Sequence, residues 1–216
     1  MYSLILGVID LAFNKLHHIG NWIYNVAFVN ILWIIFTILG LGVFGVFPAT
    51  AAMFAIARKW LILGERDFNI LQTFWEYYRK DFFKLNGFAL FFFVIGYCLY
   101  FNAAFLVLNP GSFQFLIPGT IIIIIAYVMT LLFFFPVFVH YNMKFFQYIK
   151  QAFMIAVYSP FELISTILTI GLIVAFMAWI PGIIPLFTGS VLAVCMTLLV
   201  NRTYKRISIK AEIYAR

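Results

Sequence analysis

Charged residues are scarce in this sequence, and their scarcity excludes most soluble architectures. Only 10% of the 216 residues are charged and 66% are hydrophobic, whereas a soluble domain has about 25% charged and about 45–50% apolar residues. There are too few polar residues to cover a globule in water, which excludes a soluble enzyme or binding domain. The same composition excludes intrinsic disorder. What remains is a polytopic membrane protein.

Residue types that carry catalysis or bind metals are also sparse. Cys98 and Cys195, the two cysteines, lack metal-ligand spacing and are interpreted as small packing residues. No three ligands share a spacing suited to zinc, and the sequence holds no phosphate-binding loop or catalytic triad order. We therefore expect a protein that is not an enzyme and that needs no metal or cofactor.

Three long blocks, residues 16–57, 85–143 and 163–201, contain no Asp, Glu, Lys or Arg. A helix needs about 20 apolar residues to cross about 30 Å of hydrocarbon, so each block has room for roughly two spans. Turn residues divide the second block at 109–112 and the third at Pro181-Gly182. The predicted fold is an all-α bundle of five to six membrane-inserted helices, with additional amphipathic interfacial helices. It forms a single transmembrane domain over residues 1–216, with segments near 22–39, 44–62, 84–108, 117–139, 162–180 and 183–200.

The first block allows two interpretations. Either residues 21–47 form one long span, or the chain makes a hairpin and returns as a short helix starting near Pro48, a residue that suits a first helical turn. In the hairpin, small side chains after Pro48, Thr50 among them, would let another backbone approach closely. Arg58 and Lys59 would anchor the end of this helix at the headgroups.

The distribution of basic residues favours the hairpin. Residues 58–84, residues 144–150 and the tail after Val200 hold 13 of the 14 basic residues, and this face is expected to be cytoplasmic. A hairpin places Lys15 on the same face, giving six inserted helices with both termini cytoplasmic. A single first span gives five helices and an external N-terminus. Either way, we expect a multi-pass protein of the cell membrane.

Two segments next to the spans are amphipathic. Residues 67–84 and 142–157 each place aromatic side chains on one helical face, and Asp67 is predicted to cap the first. The apolar faces consist of Phe68, Leu71, Trp75, Tyr78 and Phe82, and of Phe145, Phe146, Ile149 and Phe153. We interpret both as membrane-surface helices, with partner docking as the alternative. The basic tail is expected to attract anionic lipid and not nucleic acid.

A few polar residues lie in or beside the predicted spans. Asn30 and Asn102 lie well inside spans and are interpreted as partners in helix–helix hydrogen bonds, with the lining of a polar cavity as the alternative. Glu162 is interpreted as an exposed carboxylate at a helix start, where the helix dipole favours it. His140 ends the span at 117–139 and is expected at headgroup level.

One part of the sequence resembles a known family. Asn30-Ile31-Leu32-Trp33, the stretch Phe44–Ala52 and Arg58-Lys59-Trp60 resemble the YesL-like family of bacterial integral membrane proteins. The resemblance extends over about Val29–Asn86. Because genes of this family commonly lie near carbohydrate ABC importers and two-component regulators, the resemblance implies a link to sugar uptake or its sensing, with no catalytic residues to carry over.

The leading functional hypothesis is a non-enzymatic accessory or scaffold protein for carbohydrate transport of the ABC type, or for its sensing. Its expected partners are the lipid bilayer and a carbohydrate ABC permease. The alternative is a small-solute channel or facilitator acting as a homo-oligomer, with Asn30, Asn102 and Glu162 lining a polar path.

Overall fold

The computed structural model describes residues 2–109, 111, 113–179 and 184–214, and within these residues all regular structure is helical. This confirms the predicted all-α bundle. A π-helical turn, Lys59–Leu63, continues the second helix, and a short 3-10 turn, Gln114–Leu116, precedes the fifth. The α-helices are α1 (Tyr2–Leu39), α2 (Val43–Arg58), α3 (Ile70–Lys80), α4 (Phe82–Leu108), α5 (Ile117–His140), α6 (Phe145–Tyr158), α7 (Pro160–Trp179) and α8 (Ile184–Tyr214).

Four helical stretches among the described residues are long and apolar enough to cross a membrane: Lys15–Leu39, Val43–Leu63, Phe82–Leu108 and Gln114–His140. A fifth results if α6 and α7, which are bent by 95° relative to each other, count as one broken span. The last predicted segment, 183–200, coincides with the first half of α8. The predicted turn at Pro181-Gly182 lies outside the described residues, as do Pro110 and Ser112 of the other predicted turn.

The chain reverses direction between α1 and α2, so the first charge-free block forms a helical hairpin. Leu41 and Gly42 make the turn with φ angles of +57° and +74°, a backbone region that suits glycine and strains leucine. α2 begins directly after this turn at Val43, one residue before the predicted segment 44–62, but the expectation that Pro48 lies in its first turn is wrong. Pro48 is buried inside the helix instead.

Close backbone contact holds the hairpin together. Gly40 faces Gly45 so closely that a Cβ atom on Gly40 would collide with the Gly45 backbone. Further along, the indole Nε1 of Trp33 donates a 3.0 Å hydrogen bond to the Thr50 hydroxyl. That hydroxyl donates in turn to the Val46 carbonyl at 2.6 Å. These contacts align α1 and α2 antiparallel.

α2 is the centre of the bundle and contacts α1, α3, α4, α5 and α8. Apart from Thr50, its residues from Ala49 to Ala57 are buried, and alanine dominates among them. Because lipid is as apolar as these side chains, close packing rather than removal from water stabilises the contacts. Two apolar clusters meet on α2. One includes Val26, Leu32, Phe36, Phe74 and Tyr78, and the other includes Phe88, Phe92, Phe133, Phe134 and Ala152.

The N-cap of α3 is Asn69, so the prediction of Asp67 is wrong. The Asn69 side chain accepts a hydrogen bond from the Gln72 backbone N–H at 3.1 Å. Asp67 lies two positions too early to reach the first unpaired N–H groups of the helix.

The face of α3 that docks on the bundle is rotated from the predicted one. Phe74 and Tyr78 are buried, and the Tyr78 hydroxyl donates to the Phe36 carbonyl at 3.1 Å. Leu71 and Trp75, predicted on the same face as Tyr78, are 49% and 45% exposed. α3 therefore presents one apolar stripe to the protein and a second to its surroundings.

α6 shows the same rotation. Tyr148, Ala152 and Ile155 form its buried face. Phe146 and Phe153, both placed on the predicted apolar face, are exposed. In α3 and α6 alike, the bundle covers part of the predicted face, including Tyr78 and Phe145, and leaves the rest exposed.

Candidate functional site

A cavity of about 300 Å³ lies where the ends of five helices, α2 to α6, come together. We call this region the basic end: it is the end of the bundle where α2 and α5 finish and α4 begins. Its lining contains three side chains that are positively charged at neutral pH, Arg58, Lys80 and Lys84, together with one carboxylate, Asp81. His140, Tyr141, Asn142 and Tyr148 complete the polar part of the wall, and Ala51, Ala55 and Leu85 belong to its apolar part.

Lys84 is fixed in the wall by aromatic side chains. Its Nζ atom donates to the Tyr148 hydroxyl at 3.3 Å and lies 4.6 Å from the centre of that ring. The Phe138 ring centre is 5.3 Å from the same Nζ atom. Aromatic faces attract an ammonium group, so these contacts hold the Lys84 side chain beside the cavity.

Tyr148 is held in turn by the link between α5 and α6. Its hydroxyl donates to the Tyr141 carbonyl and accepts the Met143 backbone N–H, both at 3.1 Å. With the Lys84 contact, the donor and both acceptor positions of this hydroxyl are occupied. Tyr148 therefore holds Lys84 in a fixed position. In this way α6 contributes to the site through Tyr148, although no charged residue of α6 lines the cavity.

Arg58, the last residue of α2, lies between this cavity and a much smaller one lined by His140 and Tyr204. Its Nε atom is buried and, within the described part of the chain, has no hydrogen-bond partner. The neighbouring Lys59 differs, because it pairs with Glu65 at 2.8 Å and lies 4.6 Å from the centre of the Phe68 ring. Of the two adjacent cations, only Arg58 belongs to the cavity.

His140 stacks on Tyr204 of α8, with ring centres 4.2 Å apart and planes 9° from parallel. Burial raises the pKa of the Tyr204 phenol, and the nearby Tyr141 raises it further. Tyr204 is thus a neutral hydroxyl at physiological pH. Its oxygen has no hydrogen-bond partner among the residues that the structure describes. His140, predicted at headgroup level, is half-buried and ends the apolar stretch Gln114–His140.

Of the residues that the sequence singled out, Arg58 and His140 lie together in this cavity, and the others lie elsewhere. Asn30 is buried, and its Oδ1 accepts the Ser190 backbone N–H at 3.0 Å, which links α1 to α8. Pro48 and Thr50 belong to the α1–α2 hairpin.

Asn102 lies on the outer surface of α4. Its Oδ1 accepts a hydrogen bond from the Thr120 hydroxyl at 2.9 Å, and the same hydroxyl also donates to the Leu116 carbonyl at 3.1 Å. The contact joins α4 to α5 at the end of the bundle opposite the basic end.

The expectation of an exposed Glu162 is wrong. This side chain is 5% exposed, and its Oε1 lies 3.0 Å from Nη1 of Arg206 on α8. Its Oε2 is buried without a hydrogen-bond partner among the described residues. Glu162 does lie at a helix start, as predicted, because it is in the first turn of α7. It is covered because α8 extends beyond the end that was predicted for the last segment.

Lys80, Asp81, Lys84 and Tyr148 were not singled out from the sequence as site residues. A usable signal was present, because Arg58, Lys84 and His140 all fall at predicted span ends on one face. No group of three or more His, Cys, Asp or Glu among the described residues is placed to hold a metal ion. The cavity wall carries more cationic than anionic side chains.

A bundle of long apolar helices with its charges gathered at one end defines the class: a polytopic helical membrane protein. Within that class, the chain belongs to the YesL-like family, described as "Protein of unknown function, DUF624", whose model matches residues 26–103. The matched region includes all of α2 and α3, and with them Arg58, Lys80, Asp81 and Lys84.

Three relatives from Bacillus subtilis (strain 168) support this assignment, and each bears the name of an uncharacterised protein. YteU is 36% identical over 189 residues, covering 86% of this chain and 83% of its own. YesV is 31% identical over 166 residues, covering 76% and 79%. YesL is 28% identical over 200 residues, covering 92% and 94%. No solved structure matches the chain.

Proposed function

We propose that this protein is a non-enzymatic accessory component of a membrane transport system, and that the system imports carbohydrate through an ABC-type permease. The carbohydrate class depends on the YesL-like resemblance alone. The accessory role is supported by the exposed apolar stripes of α3 and α6 beside the basic end, formed by Leu71 and Trp75 and by Phe146 and Phe153. Amphipathic helices of this kind dock on a partner or lie in the headgroup layer.

The placement of the intramembrane polar groups favours this role over a channel. Asn30 is engaged between α1 and α8, Asn102 between α4 and α5, and Glu162 between α7 and α8. Each of these three side chains therefore lies between a different pair of helices, and within one chain they do not line a common path. Their hydrogen bonds and ion pair join helices, as small polar groups in membrane bundles commonly do.

We further propose that the protein resides in the cell membrane with its basic end toward the cytoplasm and both termini inside. The positive-inside rule supports this orientation, since the turn at Leu41–Gly42 and the loop after α4 carry no basic residue, whereas Arg58, Lys80 and Lys84 lie at the basic end. The basic tail would then meet the anionic lipid of the inner leaflet.

The test is co-purification of a carbohydrate ABC permease with the tagged full-length protein in mild detergent. Trp75→Ala removes the largest side chain from the exposed stripe of α3, and we expect it to reduce permease recovery several-fold. Trp179→Ala is the matched control, because Trp179 is 89% exposed at the opposite end of the bundle. Saturable solute flux through proteoliposomes that contain this protein alone would contradict the accessory role.

A further inference from the structure

We propose that the cavity at the basic end binds a phosphate-bearing anion, with Arg58, Lys80 and Lys84 as its cationic ligands. The anion is a phosphomonoester, which is either a soluble molecule or the headgroup of a lipid such as phosphatidic acid. This site does not depend on the accessory role, because a transport partner is not needed to form it.

The first argument is the charge of the wall. Arg58, Lys80 and Lys84 face a single carboxylate, Asp81, which leaves a surplus of two positive charges. A phosphomonoester carries about −1.5 to −2 at neutral pH, whereas a monocarboxylate carries only one negative charge. The doubly charged phosphate matches the surplus.

The second argument is that two of the cations keep free donors and that one of them, Lys84, is held in place. Among the described residues, Lys84 donates one of its three N–H groups to the Tyr148 hydroxyl. Two aromatic rings fix the position of its ammonium group. Arg58 has a buried Nε without a partner among the described residues. Arg58 also lines the cavity wall. The planar guanidinium also matches the geometry of phosphate oxygens.

The third argument is size and position. A volume of about 300 Å³ lies at the small end of the range for ligand cavities. It suits a phosphate with a small attached group and excludes a macromolecule. Basic pockets between helix ends at headgroup depth bind phospholipid headgroups, and the same pocket is open to a soluble phosphomonoester from the aqueous side.

The experiment is a binding titration of the delipidated full-length protein in detergent. Inorganic phosphate probes the soluble source, dioctanoyl phosphatidic acid probes the lipid source, and dioctanoylglycerol serves as the uncharged ligand control. We expect Arg58→Gln and Lys84→Gln to weaken binding of the charged probe by about tenfold or more. Lys59→Gln, one residue from Arg58 but paired with Glu65 outside the cavity, should change it by less than about twofold.

A fourth variant separates loss of the site from misfolding. Asp81→Asn removes the one carboxylate of the wall, so it should tighten binding, a gain that an unfolded protein cannot show. Binding of both charged probes with this ranking supports a soluble anion, and binding of phosphatidic acid alone supports a lipid headgroup. The proposal is overturned if neither charged probe binds saturably, if Lys59→Gln weakens binding as much as Arg58→Gln, or if Asp81→Asn weakens it. Failure of a permease to co-purify would leave these measurements unaffected.

Discussion

The backbone N–H of Ser190 donates a 3.0 Å hydrogen bond to Oδ1 of Asn30 and so joins α1 to α8 across 160 positions of the chain. Both groups are buried, and Gly189 leaves the space for the amide, since a Cβ there would come within 2.9 Å of Asn30 Oδ1. The contact closes the bundle by bringing the first helix against the last.

Replacing Asn30 by Ala should lower the free energy of unfolding by about 1–2 kcal/mol, because the Ser190 N–H loses a buried acceptor. Asn102→Ala is the control. Asn102 is exposed, and Thr120 keeps its hydrogen bond to the Leu116 carbonyl. Asn102→Ala should therefore lower the free energy of unfolding by about 0.5 kcal/mol or less. Unfolding of both variants in mixed micelles measures the difference, and equal losses would contradict the role given to Asn30.

Gly40→Ala should destabilise the protein by about 1–3 kcal/mol or more, because the new methyl group meets the Gly45 backbone, which cannot move aside cheaply. Gly20→Ala is the matched substitution in α1, where nothing lies within 4 Å of the added atom. It should be neutral or stabilising, since alanine favours helix over glycine. Thermal unfolding of the two variants in detergent provides the comparison, and a stable Gly40→Ala protein would refute the close hairpin.

Replacing Glu162 and replacing Arg206 should lower the stability of the protein by different amounts. Arg206→Gln leaves a buried carboxylate without its cation and should cost about 1–2 kcal/mol, a reduced value because Arg206 is 62% exposed. Glu162→Gln removes the buried charge itself and should cost less. Adding Glu162→Gln to Arg206→Gln should therefore restore part of the lost stability. If the double variant is less stable than Arg206→Gln, the pair does not act in this way.

The proposed orientation predicts which loops a membrane-impermeant thiol reagent reaches in intact cells. In a Cys98→Ala, Cys195→Ala background, Asn109→Cys should be labelled from outside. Glu65→Cys, in the exposed loop before α3, should be labelled only after the cells are opened. Labelling of Glu65→Cys in intact cells would place the basic end outside.

The sequence was sufficient for the helical bundle and for most segment boundaries, because hydropathy and the absence of charge report directly on what a bilayer tolerates. It also favoured a hairpin in the first charge-free block, where the small residues Gly40 and Gly45 permit the contact that the structure contains. Pro48 was wrongly placed in the first turn of α2, because proline is compatible with a first helical turn but does not require one.

Helix faces were harder to predict. In α3 and α6, two neighbouring stripes are apolar, and periodicity alone does not decide which one the protein covers and which one lipid or a partner covers. Phe74 and Tyr78 dock because Phe36 lies opposite them, and that neighbour comes from a different helix.

The sequence placed three of the cavity residues at span ends on one face, but the cavity itself could not be predicted, for a related reason. Arg58, Lys84, His140 and Tyr148 come from four helices, and only tertiary packing brings them together. Glu162 was misjudged in the same way, since its cover, Arg206, lies 44 positions further along the chain.

The α1–α8 contact also imposes an order on biogenesis. Asn30 is synthesised 160 residues before Ser190, and at about 5–20 residues per second the interval is about 8 to 32 seconds. During that time the hairpin of α1 and α2 resides in the membrane without its final neighbour, with the α8-facing side of α2 open to lipid or to an insertion factor. A chain truncated before α8 would therefore present the α8-facing side of α2 permanently, and quality-control proteases of the membrane would have a defined feature by which to recognise it.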